Sequence, residues 1–558
     1  MPVIDISLQK MNHLLGQDLS LDELEEYFLQ LGADIEDKKE DTIKVEYNPN
    51  RPDYCSLPGF ARALKGIIGL EKGIPDYPLK KSGMTVKVEE SVKAVRPFIH
   101  CAVIRNVELD EEAIAELMNI QEALHWVVGR DRRKASIGIH DLKDIEAPFS
   151  YLGVEADSHP FVPLGEKEEM TPQEICRNHP KGRDYAHLVD EDGIVPFLID
   201  KNEGVLSFPP IINGVLTLVT EKTTDLFIDV TGTDENAVKY CLTILTSSFA
   251  ELGCQVETVT VEPAEGKKLQ TPDFSLRTKE LRIAYVNEIL GLDLSRKEIE
   301  ENLLKARLGI RKPKKGEQPS KKDSILVEIP AFRIDILHEV DLIEEVAISY
   351  GYHNMVPELD EVPSVGRQHP KVQLQYKTRE ILAGLGFTEM VNFTLVSRDW
   401  HYTLMQQKGR PVTLLNPVSS EFNIFRDSLL PGLLKNLEKN KPVSLPQKLF
   451  EVGDISRINK KLPTKTTREI SLAGVIISSQ TDFVEIKGNV EAILKAFGIE
   501  NYSLASTEHP SFFEGRCAEI VIKKKTVGIF GEIHPEVLIN FELENPVSAF
   551  ELELEALM

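Results

Sequence analysis

What the sequence lacks narrows it first. Among 558 residues there are six cysteines, Cys55, Cys101, Cys176, Cys241, Cys254 and Cys517, and no two of them form a C-x-x-C pair. Paired-cysteine zinc sites and dithiol redox motifs therefore gain no support, and a reducing compartment is the expectation. No apolar run approaches the roughly 18 residues of a membrane helix. The opening MPVIDISLQK has neither a basic n-region nor an apolar h-region. A cytosolic location without membrane attachment is expected. Also missing are a Gly-rich phosphate loop ending in Gly-Lys-Ser/Thr, an H-E-x-x-H pair and a G-x-S-x-G elbow, so those three catalytic templates have no support. Positive charge is scarce too. With 65 Lys and Arg against 89 Asp and Glu, the net charge is −24, which argues against a chain coated to grip a phosphate backbone. Any contact with nucleic acid must be local or shared with a partner.

What is present is a soluble-type composition, 42% hydrophobic and 28% charged, spread over a chain too long for one core. About 100 to 200 residues per domain predicts three to five units. Ser20 caps LDELEEYFLQLG, whose Leu21, Leu24, Phe28 and Leu31 fall at helical spacing before Gly32. Asn48-Pro49 and Arg51-Pro52-Asp53 form a turn, Ser56 and Pro58 start a helix ending near Gly69, and PDYPLKKSG reads as a linker. From Thr85 to about Thr260, strand-like runs dominate, among them KASIGIHDL, IVPFLID, NGVLTLVT and DLFIDVTG, interrupted by helical AIAELMNIQEALHWVVG. Two helices, a basic loop RKPKKGEQPSKK, a strand and the helix HEVDLIEEVAISYGY suggest a small winged or helix-turn-helix-like module. After the loop VPELDEVPSVGRQHP, the helix VQLQYKTREILAGLGFTEMV leads into strands predicting a large antiparallel sheet. The expected fold class is α+β multidomain. Its units are an N-terminal α/β domain over 1–85, a mixed α/β domain over 86–265, the winged module over 266–356 and the sheet domain over 357–558.

Two groups of residues invite a chemical reading. Asp341, Glu344 and Glu345 stand at i, i+3 and i+4 of a predicted helix, and Asp335 sits in the turn before it. Either these acids favour the helix dipole and face water, or they converge on a hard cation such as Mg²⁺ whose shell a partner completes. In PFLIDKNEGVLSFPPIING, Ser207 and Asn213 are polar within an otherwise apolar strand-turn-strand segment. They read either as a surface hydroxyl and an ordinary Asn-Gly turn, or as polar groups reserved for a ligand.

Four stretches, in order, carry a resemblance across essentially the whole chain: PNRPDYCSLPGFARAL, IPAFRIDILHEVDLIEEVAISYGY, NPVSSEFNIFRDSLLPGLL, and KLFEVGD with GIFGEIHPEVL. Together they resemble the phenylalanyl-tRNA synthetase beta-subunit family, in its shorter archaeal and eukaryotic form. The resemblance implies several things. The 86–265 unit is similar to an editing domain that hydrolyses tyrosine wrongly attached to phenylalanine tRNA. Leu198, Ser207 and Asn213 match its pocket, with His140 and Asp141 as further candidates. Asp335, Asp341, Glu344 and Glu345 match a Mg²⁺ site shared with a catalytic alpha subunit, in an assembly of two alpha and two beta chains that uses ATP. The C-terminal unit resembles a class II synthetase fold with no aminoacylation site of its own. Only Arg426 and Arg516 stand where ATP-binding cations would, and ion pairing within the fold accounts for them equally well. Two rival readings remain at this level: a free-standing tRNA-editing hydrolase, and a non-enzymatic nucleic-acid-binding regulator.

Overall fold

A computed structural model describes residues 2–190, 193–313, 323–358 and 364–557. Residues 314–322 of the Lys-rich loop and 359–363 of the following loop lie outside the described residues. The chain divides into two compact units, 1–359 and 360–558.

The first unit begins with a three-stranded sheet, Val3–Ser7 beside Thr42–Glu46 beside Asp34–Lys38. The helix Leu21–Gln30 packs Leu24 and Phe28 into its core. Ser20 caps that helix in a reciprocal box with Glu23, and Gly32 leaves it at φ +79°, as the spacing and the glycine predict. The Ser56-capped helix runs Leu57–Ile67. The predicted linker is partly wrong: the strand Lys80–Val88 begins within it and crosses the expected boundary at 85.

That strand lies near the middle of a ten-stranded mixed sheet. One edge is built from Ile212–Asn213, Val205–Phe208, Ile194–Ile199 and Phe149–Glu155 in turn, the other from Gln255–Glu262, Phe98–Arg105, Asp225–Gly232 and Ala135–Asp141. Helices Glu111–Val127 and Glu235–Glu251 cover it. NGVLTLVT departs from its predicted strand: after Asn213 the chain makes a 3-10 turn at Val215–Thr217. A smaller sheet, Arg277–Arg282, Ser324–Ile329 and Gly309–Arg311, packs with helices Ile283–Leu290, Arg296–Lys305 and Glu339–Tyr350 around its own core, matching the winged module in outline.

The second unit is a seven-stranded sheet, antiparallel except where Thr388–Glu389 runs parallel to Gln447–Ile458. Its first helix, Pro370–Gly384, stops earlier than predicted because Gly386 turns at φ +84°, a conformation that ends helices. The α+β multidomain class predicted from the sequence is the one observed. No helix among the described residues is long and apolar enough to cross a membrane.

Candidate functional site

The ten-stranded sheet holds a cavity of about 460 Å³ against helix Glu111–Val127, within the size range of small-molecule pockets. Sheet pairing explains how its floor forms. In the antiparallel pair of Asp225–Gly232 with Ala135–Asp141, Asp229 stands opposite Gly138, and both line the cavity with Ile137 and Ile139. Ser207 pairs in register with Asn213 on one side and Leu198 on the other.

Of the residues singled out from the sequence, Ser207 and Asn213 are brought together on the wall. Ser207 is 2% exposed, and its hydroxyl has no hydrogen-bond partner. A buried, unsatisfied hydroxyl costs about 1 to 3 kcal/mol, so its persistence at a cavity wall points to a ligand. Asn213 Nδ2 donates to the Ile139 carbonyl at 3.2 Å, which orients its side-chain oxygen. The other three residues do not line the cavity. Leu198 is fully buried in the core beside Phe149 and Tyr151. Asp141 accepts from Lys143 N at 2.9 Å and Thr223 Oγ1 at 2.6 Å, which makes it a turn residue. His140 lies beneath the floor, with Nε2 bonded to Asp229 Oδ2 and Nδ1 to Thr217 Oγ1, both at 2.7 Å.

Wall residues also come from positions the sequence left unmarked. Arg130, Asp131 and Arg132 all adopt positive φ, a rare and strained run for residues with side chains. The resulting turn places Arg132 on the wall, donating to the carbonyls of Pro210 and Ile211 and to Glu122 Oε1. His125 and then Arg132 hold the Glu122 carboxyl down at about 2. Helix spacing offered no signal for Glu122, because its functional neighbour arrives through the strained turn.

The carboxylate cluster differs from the expected cation cage. Arg333, 1% exposed, donates Nε to Asp335 Oδ1 at 3.0 Å and Nη1 to Glu345 Oε2 at 3.1 Å, and its Nη2 lies 2.6 Å from each. Arg51 Nη1 approaches Glu345 from the first motif at 3.6 Å, while grasping Asp53 with two bonds of 2.9 Å. Asp341 accepts from Leu337 N and His338 N at 2.7 and 2.6 Å, a capping role. That leaves exposed Glu344, whose carboxyl is pushed up by partial burial and then by the charges of Glu345, Asp341 and Asp335. Among the described residues no group of three or more His, Cys, Asp or Glu side chains is arranged to hold a metal ion. The four acids do gather, but this chain's own donors do not fit Mg²⁺, because an arginine takes the place of the cation.

In the second unit, Arg426 is buried and its Nη1 meets Glu451 Oε1 at 2.7 Å, while Asn392 satisfies the other carboxylate oxygen. Arg516 pairs with Glu532 at 2.7 Å. Both guanidinium groups are engaged within the fold.

Comparison with known proteins agrees with this arrangement. Residues 279–352 match the signature described as the tRNA synthetase B5 domain, and 357–554 that of the phenylalanyl tRNA synthetase beta chain CLM domain. The beta subunit of phenylalanine–tRNA ligase from Archaeoglobus fulgidus is 42% identical over 100% of this chain and 98% of its own length. The chain belongs to the phenylalanine–tRNA ligase beta-subunit family. A second beta subunit, from Methanosphaera stadtmanae, is 40% identical over 99% of both chains. An N-terminal fragment of the phenylalanyl-tRNA synthetase beta subunit from Pyrococcus horikoshii superposes on 62% of this chain and 99% of that fragment, at TM-score 0.58 and 35% identity. As a beta subunit, the chain is part of a ligase.

Proposed function

We propose that this beta subunit supports ATP-dependent attachment of phenylalanine to tRNA by a partner alpha subunit, and that it hydrolyses tyrosyl-tRNA made in error. The observation that carries the editing reading is the cavity wall where buried Ser207 keeps an unpartnered hydroxyl beside Asn213. An apolar pocket rejects a ligand that merely adds a hydroxyl by only about 100-fold, so charging with phenylalanine needs a second site to remove tyrosine. This cavity has what such a site requires: apolar walls from Ile114, Ile137 and Phe208 for the ring, and Ser207 and Asn213 to read the phenol.

Placing the charging reaction in the partner is supported by Arg426 and Arg516, whose engagement with Glu451 and Glu532 leaves neither free to hold ATP phosphates. ATP, Mg²⁺, an assembly of two alpha and two beta chains, a cytosolic location and the four domain segments belong to the same proposal. Mg²⁺ in it lies at the partner's border, with Glu344 as the carboxylate this chain has left to offer. The test is to co-express the chain with the alpha subunit and supply tyrosyl-tRNA bearing the phenylalanine anticodon. Release of tyrosine by the complex, and no charging by the isolated chain, is expected. A complex that leaves tyrosyl-tRNA intact contradicts the editing reading.

A further inference from the structure

Beneath the cavity floor, three side chains form one hydrogen-bonded chain: Asp229 on the strand Asp225–Gly232, His140 on the strand Ala135–Asp141 and Thr217 in the 3-10 turn Val215–Thr217. Each is at most 1% exposed. Asp229 and Thr217 line the cavity, whereas the imidazole that joins them does not. Gly138 opens the floor at this point, because a Cβ on it would come within 2.1 Å of Asp229 Oδ2 and 2.8 Å of His140 Nε2.

The proton positions follow from chemistry. A carboxylate only accepts, so His140 Nε2–H donates to Asp229. Nδ1 of the neutral ring is then an acceptor, and the Thr217 hydroxyl donates to it at 2.7 Å. The competing acceptor for that hydroxyl, the Gly214 carbonyl, lies 3.4 Å away, too far to compete well. The order carboxylate, imidazole, hydroxyl is the order of an acyl-transfer triad, which is recognised by geometry and roles and not by position in the chain. A packing role alone needs no polar groups in this place, and an apolar trio of the same volume satisfies a core more cheaply.

We propose that Thr217 is a catalytic residue of the cavity, relaying a proton from the hydrolytic water to His140, and that Asp229 positions the imidazole for it. The proposal rests on the editing reading above and concerns the same aminoacyl ester. In the forward step the water oxygen bonds to the ester carbonyl carbon. One water proton passes to Thr217 Oγ1 as the Thr217 proton moves to His140 Nδ1, and Asp229 stabilises the imidazolium. When the tetrahedral intermediate collapses, the bond from the carbonyl carbon to the ribose oxygen breaks. The proton then returns through Thr217 to that oxygen, giving free amino acid and tRNA with all atoms accounted for. Placing the imidazole one hydroxyl away from the water keeps a base whose ordinary titration lies near neutrality out of solvent.

The experiment compares tyrosyl-tRNA hydrolysis by the assembled enzyme and by its Thr217→Val, Thr217→Ser and Asp229→Asn forms. Thermal midpoints and phenylalanine charging are followed in parallel. Thr217→Val removes the hydroxyl at nearly constant shape and is expected to lower hydrolysis by about 100-fold or more, while Thr217→Ser restores most of it. Asp229→Asn reverses the preferred tautomer, so that Nδ1 carries a proton and cannot accept one; a loss of similar size is expected. A purely structural role predicts equal behaviour of the Val and Ser forms once both are folded. Hydrolysis at the wild-type rate in folded Thr217→Val or Asp229→Asn overturns the relay while leaving the editing reading intact. A wild-type complex without hydrolysis overturns both.

Discussion

Gly138 stands directly opposite Asp229 across an antiparallel strand pair, and the side chain it lacks is what gives the Asp229 carboxylate room to meet His140. A methyl group here must push the carboxylate or the imidazole aside, since contacts of 2.1 and 2.8 Å are shorter than side chains tolerate. Gly138→Ala is therefore expected to cost about 1 to 3 kcal/mol of stability by overpacking. Because the floor of the cavity shifts, tyrosyl-tRNA hydrolysis should fall on the order of 10- to 100-fold, with phenylalanine charging retained. Unchanged hydrolysis in the folded variant contradicts this account of the floor.

Arg333 carries a different consequence. It neutralises Asp335 and Glu345 while buried. Removing one partner of a buried pair strands the other, at about 3 to 5 kcal/mol. Arg333→Met should destabilise the first unit by that order, read as a lower denaturation midpoint for that unit. A shift below about 1 kcal/mol, the worth of an exposed pair, contradicts the burial of this network.

Glu344 is the exposed acid of the cluster, and its neighbours' charges make its ionisation unfavourable. If a cation arrives with the partner, Glu344→Gln should weaken the Mg²⁺ dependence of subunit assembly without unfolding the helix Glu339–Tyr350. The check is subunit affinity with and without chelator. Identical chelator sensitivity in wild type and variant contradicts a role for Glu344 at that border.

The helix Leu21–Gln30 and the strand Asp225–Gly232 were legible in the sequence because capping residues and hydrophobic runs act locally. Ser207 and Asn213 were legible for a related reason: a polar residue inside an apolar segment requires a partner, and register places these two side by side. Leu198 was misplaced because a strand pair puts neighbours in register without saying which faces the cavity. Asp335, Asp341 and Glu345 share one end of a helix as their spacing predicts. Their partners Arg333 and Arg51, however, arrive through tertiary contacts that spacing does not encode. Thr217 lay within a predicted strand, so its approach to His140 depended on a turn that the apolar pattern concealed.

His100, on the strand Phe98–Arg105, is 8% exposed, and burial holds its imidazole down at about 4, with Lys239 adding to the effect. Because the folded value lies below the unfolded one of about 6.5, the unfolded chain takes up the proton first as the pH falls. The stability present above pH 6.5 is thus lost between about 6.5 and 4, amounting to roughly 3 kcal/mol from this residue. Denaturation midpoints at pH 7 and pH 4.5 should converge in His100→Gln relative to wild type. An equal drop in both proteins contradicts the assignment.

The central claim is that Ser207 and Asn213 read the tyrosine hydroxyl in a hydrolytic cavity. The most direct measurement is the hydrolysis rate of tyrosyl-tRNA bearing the phenylalanine anticodon, for the assembled enzyme and its Asn213→Ala and Ser207→Ala forms. Loss of one hydrogen bond worth about 1 to 3 kcal/mol predicts a decrease of roughly 5- to 150-fold in Asn213→Ala, and a decrease in Ser207→Ala, with phenylalanine charging almost unchanged. Wild-type hydrolysis by both folded variants would contradict the account.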